Sequence, residues 1–533
     1  MNSRPPSPES PRVLDAARRL AEGLDLPRRL EPFDPHRWSG DEATPQLQLD
    51  DVSGIPFLEG ISGVSEYQHR ARLRARGGDL LVTTTPQRPG EEDYYRDRLD
   101  LGATTAILAE ARERPLELAA ACRRRPVLES LARRAATDGA LVVHPFMGIE
   151  AVWELAAALA RESGAVIEVL ASPPPVTWIA NDKGVFCDLV TAVLGADWVT
   201  PERRSRQPRE LARGLLELAE SAPRVALKRM RCASAMGNRV FASDELRAVA
   251  FEGTLERVER FLQETRWSDS EEVQAVAWED TDLSPSTQWW IPPLGTEALD
   301  PISGRADAAQ LQAPAARRAG AAMEPDLADP DRLLGLGMPP LAGADRPRLD
   351  GIYEQILVGP GKVFAGSHPS ALPAAVHREL AESGAAIASA LQLLGYVGRC
   401  SFDHLVLGDP TADHVLRFTE CNGRWGGTST PMHLVDRLLG RPADRDPDDP
   451  APRRRPYQAM DVVHPSLVGL SFREVLRRAG DRAFERSSGE GDLLFYNVGP
   501  LERHGKLDVV ALGSSREEAA SLLTDELPRI LGL

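Results

Sequence analysis

Short apolar runs alternate along the chain with stretches of helical spacing. Asp79-Leu-Leu-Val-Thr-Thr-Thr85, Ala140-Leu-Val-Val-His144 and Val166-Ile-Glu-Val-Leu170 read as buried strands. Leu116 to Ala121 and Glu150 to Glu162, which lie between them, read as helices. Strand–helix alternation of this kind predicts a parallel sheet flanked by helices over 47–180. Further on, Arg224-Val-Ala-Leu-Lys228, His404-Leu-Val-Leu407 and Val415 to Asn422 have strand character, and a long helix is predicted from about Pro373 to Leu394. Near the end come strands at Gly491 to Val498 and Leu507 to Leu512, then a helix from Ser515 to about Leu527 that Pro528 should stop.

Breaks in this pattern divide the chain. Residues 1–46 are rich in Pro, Arg and acids around one amphipathic stretch, Val13 to Leu24, and read as a weakly packed, partly disordered extension. The segment 300–348, crowded with Ala, Pro, Gly and Asp, reads as a loop or insertion, and 441–455 as a linker. The remaining units are 181–273, 274–440 and a small α/β domain at 456–533.

Composition narrows the function. The 533 residues carry a net charge of −16, which argues against nucleic acid or an anionic membrane as partner. No window approaches the ~18 uninterrupted apolar residues of a membrane span. The N-terminus has no apolar leader, and the five cysteines form no metal-spaced pattern, so a reduced cytoplasm is the expected compartment. Of 63 basic residues only four are lysine: Lys183, Lys228, Lys362 and Lys506. A lysine that persists in so arginine-rich a chain is a candidate for work that a planar guanidinium cannot do. Lys362 and Lys506, beside turn glycines, have a plainer reading as chance survivors.

Three elements carry candidate chemistry. Asn181-Asp-Lys183 opens a predicted helix, Gly184 to Leu194, where a lysine could meet a phosphate or the Asn/Asp could simply cap. Lys228 ends a short strand and is followed by the small residues 233–237, whose backbone N–H groups could approach phosphate oxygens. The third is a hairpin in which Asp403 can lie across from Glu420, with Asn422 two residues on and on the same face as Glu420. Three such oxygens suit magnesium, although a solvated polar hairpin face would look the same. Gly423-Arg-Trp-Gly-Gly-Thr-Ser-Thr-Pro431 then makes a plausible loop for an anionic reacting group. GxGxxG and GxxxxGK[ST] are both absent, which removes a dinucleotide-binding Rossmann domain and a P-loop.

In this order and combination the three elements resemble the ATP-grasp superfamily. The Gly423-to-Met432 run and the extra C-terminal unit look most like the pheganomycin-type peptide ligases. The resemblance covers roughly residues 50–533. It implies an α/β and α+β chain: a Rossmann-like pre-ATP-grasp sheet (47–180), a two-subdomain ATP-grasp fold (lid 181–273, metal site 274–440) and the C-terminal domain. It also implies ATP and Mg2+ as cofactors. Lys183 and Lys228 would contact phosphates, and Ser234 to Asn238, with Gly237, would form a lid. Asp403, Glu420 and Asn422 would hold magnesium, and Arg424 would steady the acyl phosphate or substrate carboxylate. The strand reaching the adenine usually ends in a glutamate but here reads Val273-Gln-Ala-Val-Ala-Trp278, so adenine and ribose are expected near Ala277 to Asp282, with Trp278, Glu279 and Asp282 as contacts. The implied activity is an ADP-forming ligation of an amino-acid or peptide carboxylate to an amine through an acyl phosphate, in natural-product biosynthesis. Its partners are small molecules, with a homodimer left open. A ligase for another carboxylate or a thiol acceptor, and an ATP-binding module without turnover, are the alternatives. No histidine has a compelling position as base; His368 is a guess.

Overall fold

A computed structural model describes residues 2–111, 114–232, 236–279, 281–294, 346–359, 362–440 and 455–533. Most of the proposed linker 441–455 and of the loop 300–348 therefore lies outside the described residues, as do Ser234 and Asp280. The chain is mixed α/β, with one parallel sheet and two others built antiparallel.

The parallel sheet has five strands in the order Thr105–Leu108, Leu80–Thr83, Gln46–Leu49, Ala140–Pro145, Val166–Val169. Leu80–Thr83 and Ala140–Pro145 read as near-continuous apolar runs, and helices such as Glu150–Ser163 and Leu118–Cys122 pack on the sheet, while the middle strand alternates as Gln46-Leu-Gln-Leu49.

A four-stranded antiparallel sheet follows, in the order Glu202–Ser205, Val273–Ala277, Arg224–Arg229, Asn238–Ala242. Val225 and Leu227 face a core shared with the helices Pro208–Ala219 and Phe251–Glu264. By the period of two, Lys228 then leaves from the opposite face. Val273–Ala277 pairs with both neighbours in this sheet, so the strand expected to open the second subdomain at 274 belongs to the first.

The largest sheet has eight strands. Four of them, His414–Asn422, Gly398–Gly408, Pro285–Ile291 and Arg348–Val358, continue through Val363–Pro369 into Tyr457–Val463, Lys506–Leu512 and Leu493–Asn497. The C-terminal strands thus extend this sheet instead of forming one of their own. The join at Gly366 opposite Met460 requires glycine, because a Cβ there would collide with the Ala459 carbonyl oxygen. Pro528 does not stop the last helix; it sits in the first turn of Leu527–Leu531, where its missing N–H costs nothing.

One face of the eight-stranded sheet is covered by three helices: Ala374–Leu393, Lys183–Val193 and the N-terminal Pro11–Gly23. The last is no loose extension. Ser10 caps it, and Val13, Ala16, Ala17 and Ala21 are buried against the other two helices. Small alanines allow the close approach that the composition of residues 1–46 concealed. The opposite face of this sheet carries the polar groups described next.

Candidate active site

On Gly398–Gly408 the even positions Cys400, Phe402, His404 and Val406 are all buried, which puts Ser401 and Asp403 on the other face. The partner strand does not keep a simple alternation. Leu416 and Phe418 enter the core, but so does Cys421. The reason is a bulge. Asp403 pairs with Glu420, whereas His404 pairs with Phe418, leaving Thr419 as an extra residue. This insertion reverses the phase and turns Glu420 to the face of Asp403. Without it Glu420 would follow Leu416 and Phe418 into the core.

The carboxylates are held in place. Asp403 accepts hydrogen bonds from Ser286 Oγ at 2.7 Å and from Asn422 Nδ2 at 2.9 Å, and Ser286 accepts one from Gln288 Nε2 at 3.0 Å. Glu420 Oε2 lies 2.8 Å from Lys183 Nζ. Burial and then Glu420 push the Asp403 carboxyl up to about 6. Burial also acts on Glu420, but Lys183, Lys228 and Arg424 outweigh it and hold that carboxyl below its ordinary value. Three cations therefore act on Glu420, and one of them, Arg424, on Asp403 as well.

Lys183 is the first residue of its helix. Asp182 is the N-cap, accepting from the N–H groups of Gly184 and Val185. Asn181 ends the preceding helix, Pro174–Asn181, and does something the sequence did not disclose. Its Oδ1 accepts from Gly423 N at 3.1 Å and from Arg424 Nη1 at 3.0 Å, and its Nδ2 donates to the Gly423 carbonyl at 3.3 Å. A helix end thus fixes the loop after the acidic strand. Burial lowers the Arg424 guanidinium from its usual value, and Glu420 and Asp403 oppose that shift.

Residues 230–232, just after Arg224–Arg229, lie over this group. Lys183 Nζ donates to Cys232 O at 2.8 Å, and Lys183 N donates to Met230 O at 3.1 Å. Gly237 returns the chain, its carbonyl accepting from Arg229 N, and Asn238 pairs with Lys228 across the hairpin. Burial lowers Lys228, and Glu420 opposes the shift. Its ammonium lies 5.3 Å from the ring centre of Trp278. A cleft lined by Asn181, Lys183, Cys232, Glu420, Asn422 and Arg424 results, with Trp178 and Arg231 on its rim.

Other expected contacts stand apart. Glu279 lies 3.7 Å from Arg417, and Asp282, largely in solvent, pairs with Lys362 at 2.6 Å. Neither lines the cleft. Lys362 and Lys506 both have partners; Lys506 binds Asp461 and Tyr67. His368 meets Arg516 at 2.8 Å and is also outside the cleft. Cys421 is buried with its thiol raised, so it stays protonated. Glu202, pushed up to about 7 by burial and bonded to Gln274, was not foreseen; no motif marks it.

Two carboxylates and an amide on one face, with Asp403 lying across from Glu420, are a donor set that fits a hard divalent cation. No cluster of three or more His, Cys, Asp or Glu occurs among the described residues, so Asn422 or water would complete such a site. No described helix is long and apolar enough to cross a membrane.

No protein-family model matches the chain, and no curated sequence is significantly similar to it. Solved structures do align. N5-carboxyaminoimidazole ribonucleotide synthetase in an ADP complex covers 92% of this chain and 96% of its own, at a TM-score of 0.47 and 12% identity. The Staphylococcus aureus N5-carboxyaminoimidazole synthetase complexed with ADP covers 92% and 99%, at 0.48 and 8%. Biotin carboxylase from Campylobacter jejuni covers 89% of each, at 0.46 and 12%. Likenesses this loose carry no conclusion about activity.

Proposed function

We propose that the protein is an ADP-forming ATP-grasp ligase that joins a carboxylate to an amine. The observation that carries this reading is the gathering of Lys183, Glu420, Asn422 and Arg424 in one cleft, with Lys183 paired to Glu420 and Asp403 held by Asn422. A carboxylate is a poor electrophile. In the proposed reaction its oxygen attacks the γ-phosphorus of ATP, the bond to the β–γ bridging oxygen breaks, and ADP leaves. The amine nitrogen then attacks the acyl carbon, phosphate departs, and the nitrogen loses its proton.

Little covalent chemistry falls to the protein, so positioning and charge dominate. Lys183 and Lys228 would offset the negative charge of the phosphates, and Arg424, fixed by Asn181, would face the transferring group. Asp403, Glu420 and Asn422 would hold Mg2+, which supplies charge neutralisation at the phosphates when bound. Residues 230–232, tied to Lys183 through Met230 and Cys232, would restrict water. Trp278, beside Lys228, would border the adenine.

The finer reading is an amino-acid or peptide substrate in a natural-product pathway, supported by the likeness of the Gly423–Met432 run to pheganomycin-type ligases. ADP release that depends on both a carboxylate and an amine, with product mass identified, tests the whole. ATP binding without turnover for any acid–amine pair would favour a non-catalytic module instead.

A further inference from the structure

Beyond Arg424 lies a second cavity, which shares Met147 and Arg424 with the first as lining residues. It lies at the carboxyl ends of Ala140–Pro145 and Val166–Val169, the edge where open parallel sheets take ligands. Phe146, Leu170, Val397 and Trp425 line it, and no carboxylate does.

Arg399 lines it as well and is 5% exposed. Its Nη1 donates to Asp350, which does not line the cavity and also pairs with Arg348 at 2.6 Å. The Arg399 Nε–H has no acceptor among the described residues. Buried donors are nearly always satisfied, so an orphan on a residue that lines a cavity calls for an explanation. The guanidinium cannot swing to find one. Trp290 and Trp425 flank it, with ring centres 5.6 and 5.4 Å away. Trp425 is itself braced by Arg74 at 4.8 Å and by His433 at 5.3 Å. A fixed guanidinium with one nitrogen bonded elsewhere presents its Nε edge, the geometry that receives a carboxylate.

We propose that this cavity binds a carboxylate that is not consumed in the reaction, the remote carboxylate of an amino-acid-sized substrate, with Arg399 as its anchor. The inference rests on the ligase reading only for the claim that the molecule is a substrate. Two sources share this chemistry: an amine-donating α-amino acid, or a dicarboxylic acid whose other carboxylate is activated.

The test is binding, read from tryptophan emission because Trp290 and Trp425 flank the anchor. The full-length protein is titrated with α-amino acids, with dicarboxylic acids lacking an amine, and with the matching carboxamides. Acids should bind at least ~10-fold more tightly than their amides, since an amide leaves the anchor's charge unpaired. Arg399→Lys keeps the charge towards Asp350 but loses the fork, and should weaken acid binding ~10-fold with an unchanged circular dichroism spectrum. Should that variant unfold, Ala171→Leu, which narrows the cavity from another wall, should have the same effect. Binding by monocarboxylic amino acids assigns the cavity to the amine donor, and binding by diacids alone assigns it to the acid donor. Equal affinity for acids and amides, or no binding by any compound, overturns the proposal. Absence of ADP release despite acid-selective binding would instead sink the ligase reading and leave the anion site standing.

Discussion

The Lys183 ammonium lies 2.8 Å from a Glu420 carboxylate oxygen and 2.8 Å from the Cys232 carbonyl. One buried side chain thus joins a helix start, the acidic strand and the covering loop. Replacing Lys183 by Met removes the charge nearest the acidic pair. The expected result is a fall in kcat/KM for ATP on the order of 100-fold, the usual cost of losing one preorganised electrostatic contact. Lys183→Arg should recover only part of it, because a planar fork cannot replace a compact ammonium bonded on two sides. Coupled ADP assays check both, and full turnover by the Met variant would remove Lys183 from the site.

Divalent metal should be required. EDTA should abolish ADP release and added Mg2+ restore it. Glu420→Gln leaves Asp403 and Asn422 in place but removes one of two charges, so the Mg2+ concentration giving half-maximal rate should rise by about 10-fold or more. An unshifted Mg2+ requirement would place the metal elsewhere.

Asn181 positions Arg424 and Gly423 and is not itself assigned a substrate contact. Asn181→Ala should therefore lower kcat by roughly 10-fold while the KM for ATP changes by less than about 3-fold. A loss confined to KM would mean that Asn181 touches the nucleotide directly.

Gly237 has no room for a side chain, since a Cβ there would lie 2.7 Å from both Cβ and Sγ of Cys232. Gly237→Val should displace the loop whose Cys232 carbonyl holds Lys183. The KM for ATP should rise several-fold, with a smaller change in melting temperature. Kinetics and a thermal melt on the same preparation separate the two effects.

Stability should depend on pH through Asp508, whose carboxyl burial and Asp461 push up to about 7. The unfolded value is about 4. The native state therefore holds this proton more tightly than the unfolded chain. No cost is present below about pH 4; it develops as pH rises and is complete above about 7. Asp508→Asn can still accept the Asn497 bond and cannot ionise. Between pH 5 and pH 8 the wild type should lose more melting temperature than the variant. Parallel curves would show that Asp508 does not carry the dependence.

Much of the site was legible because its residues are rare or locally paired. Lys183 and Lys228 stand out in a chain nearly without lysine, and Asp403, Glu420 and Asn422 share a hairpin whose turn is short. The second cavity was not legible. Arg399 is one of many arginines, and its unpaired Nε–H exists only because Trp290, Trp425 and Asp350 arrive from three separate segments. The N-terminal helix misled for a related reason: its polar, proline-flanked composition hides an alanine face that matters only once Ala374–Leu393 and Lys183–Val193 lie beneath it.

The sequence by itself determined the strand–helix alternation of the first sheet, the hairpin and the identity of the charged groups, since each depends on neighbours along the chain. Only the tertiary structure decided that Thr419 bulges and turns Glu420 towards Asp403, that Asn181 holds Arg424, and that the C-terminal strands extend the central sheet. Those outcomes depend on pairing between distant segments. A one-residue shift in register there moves a side chain from core to cleft, and local sequence does not encode that shift.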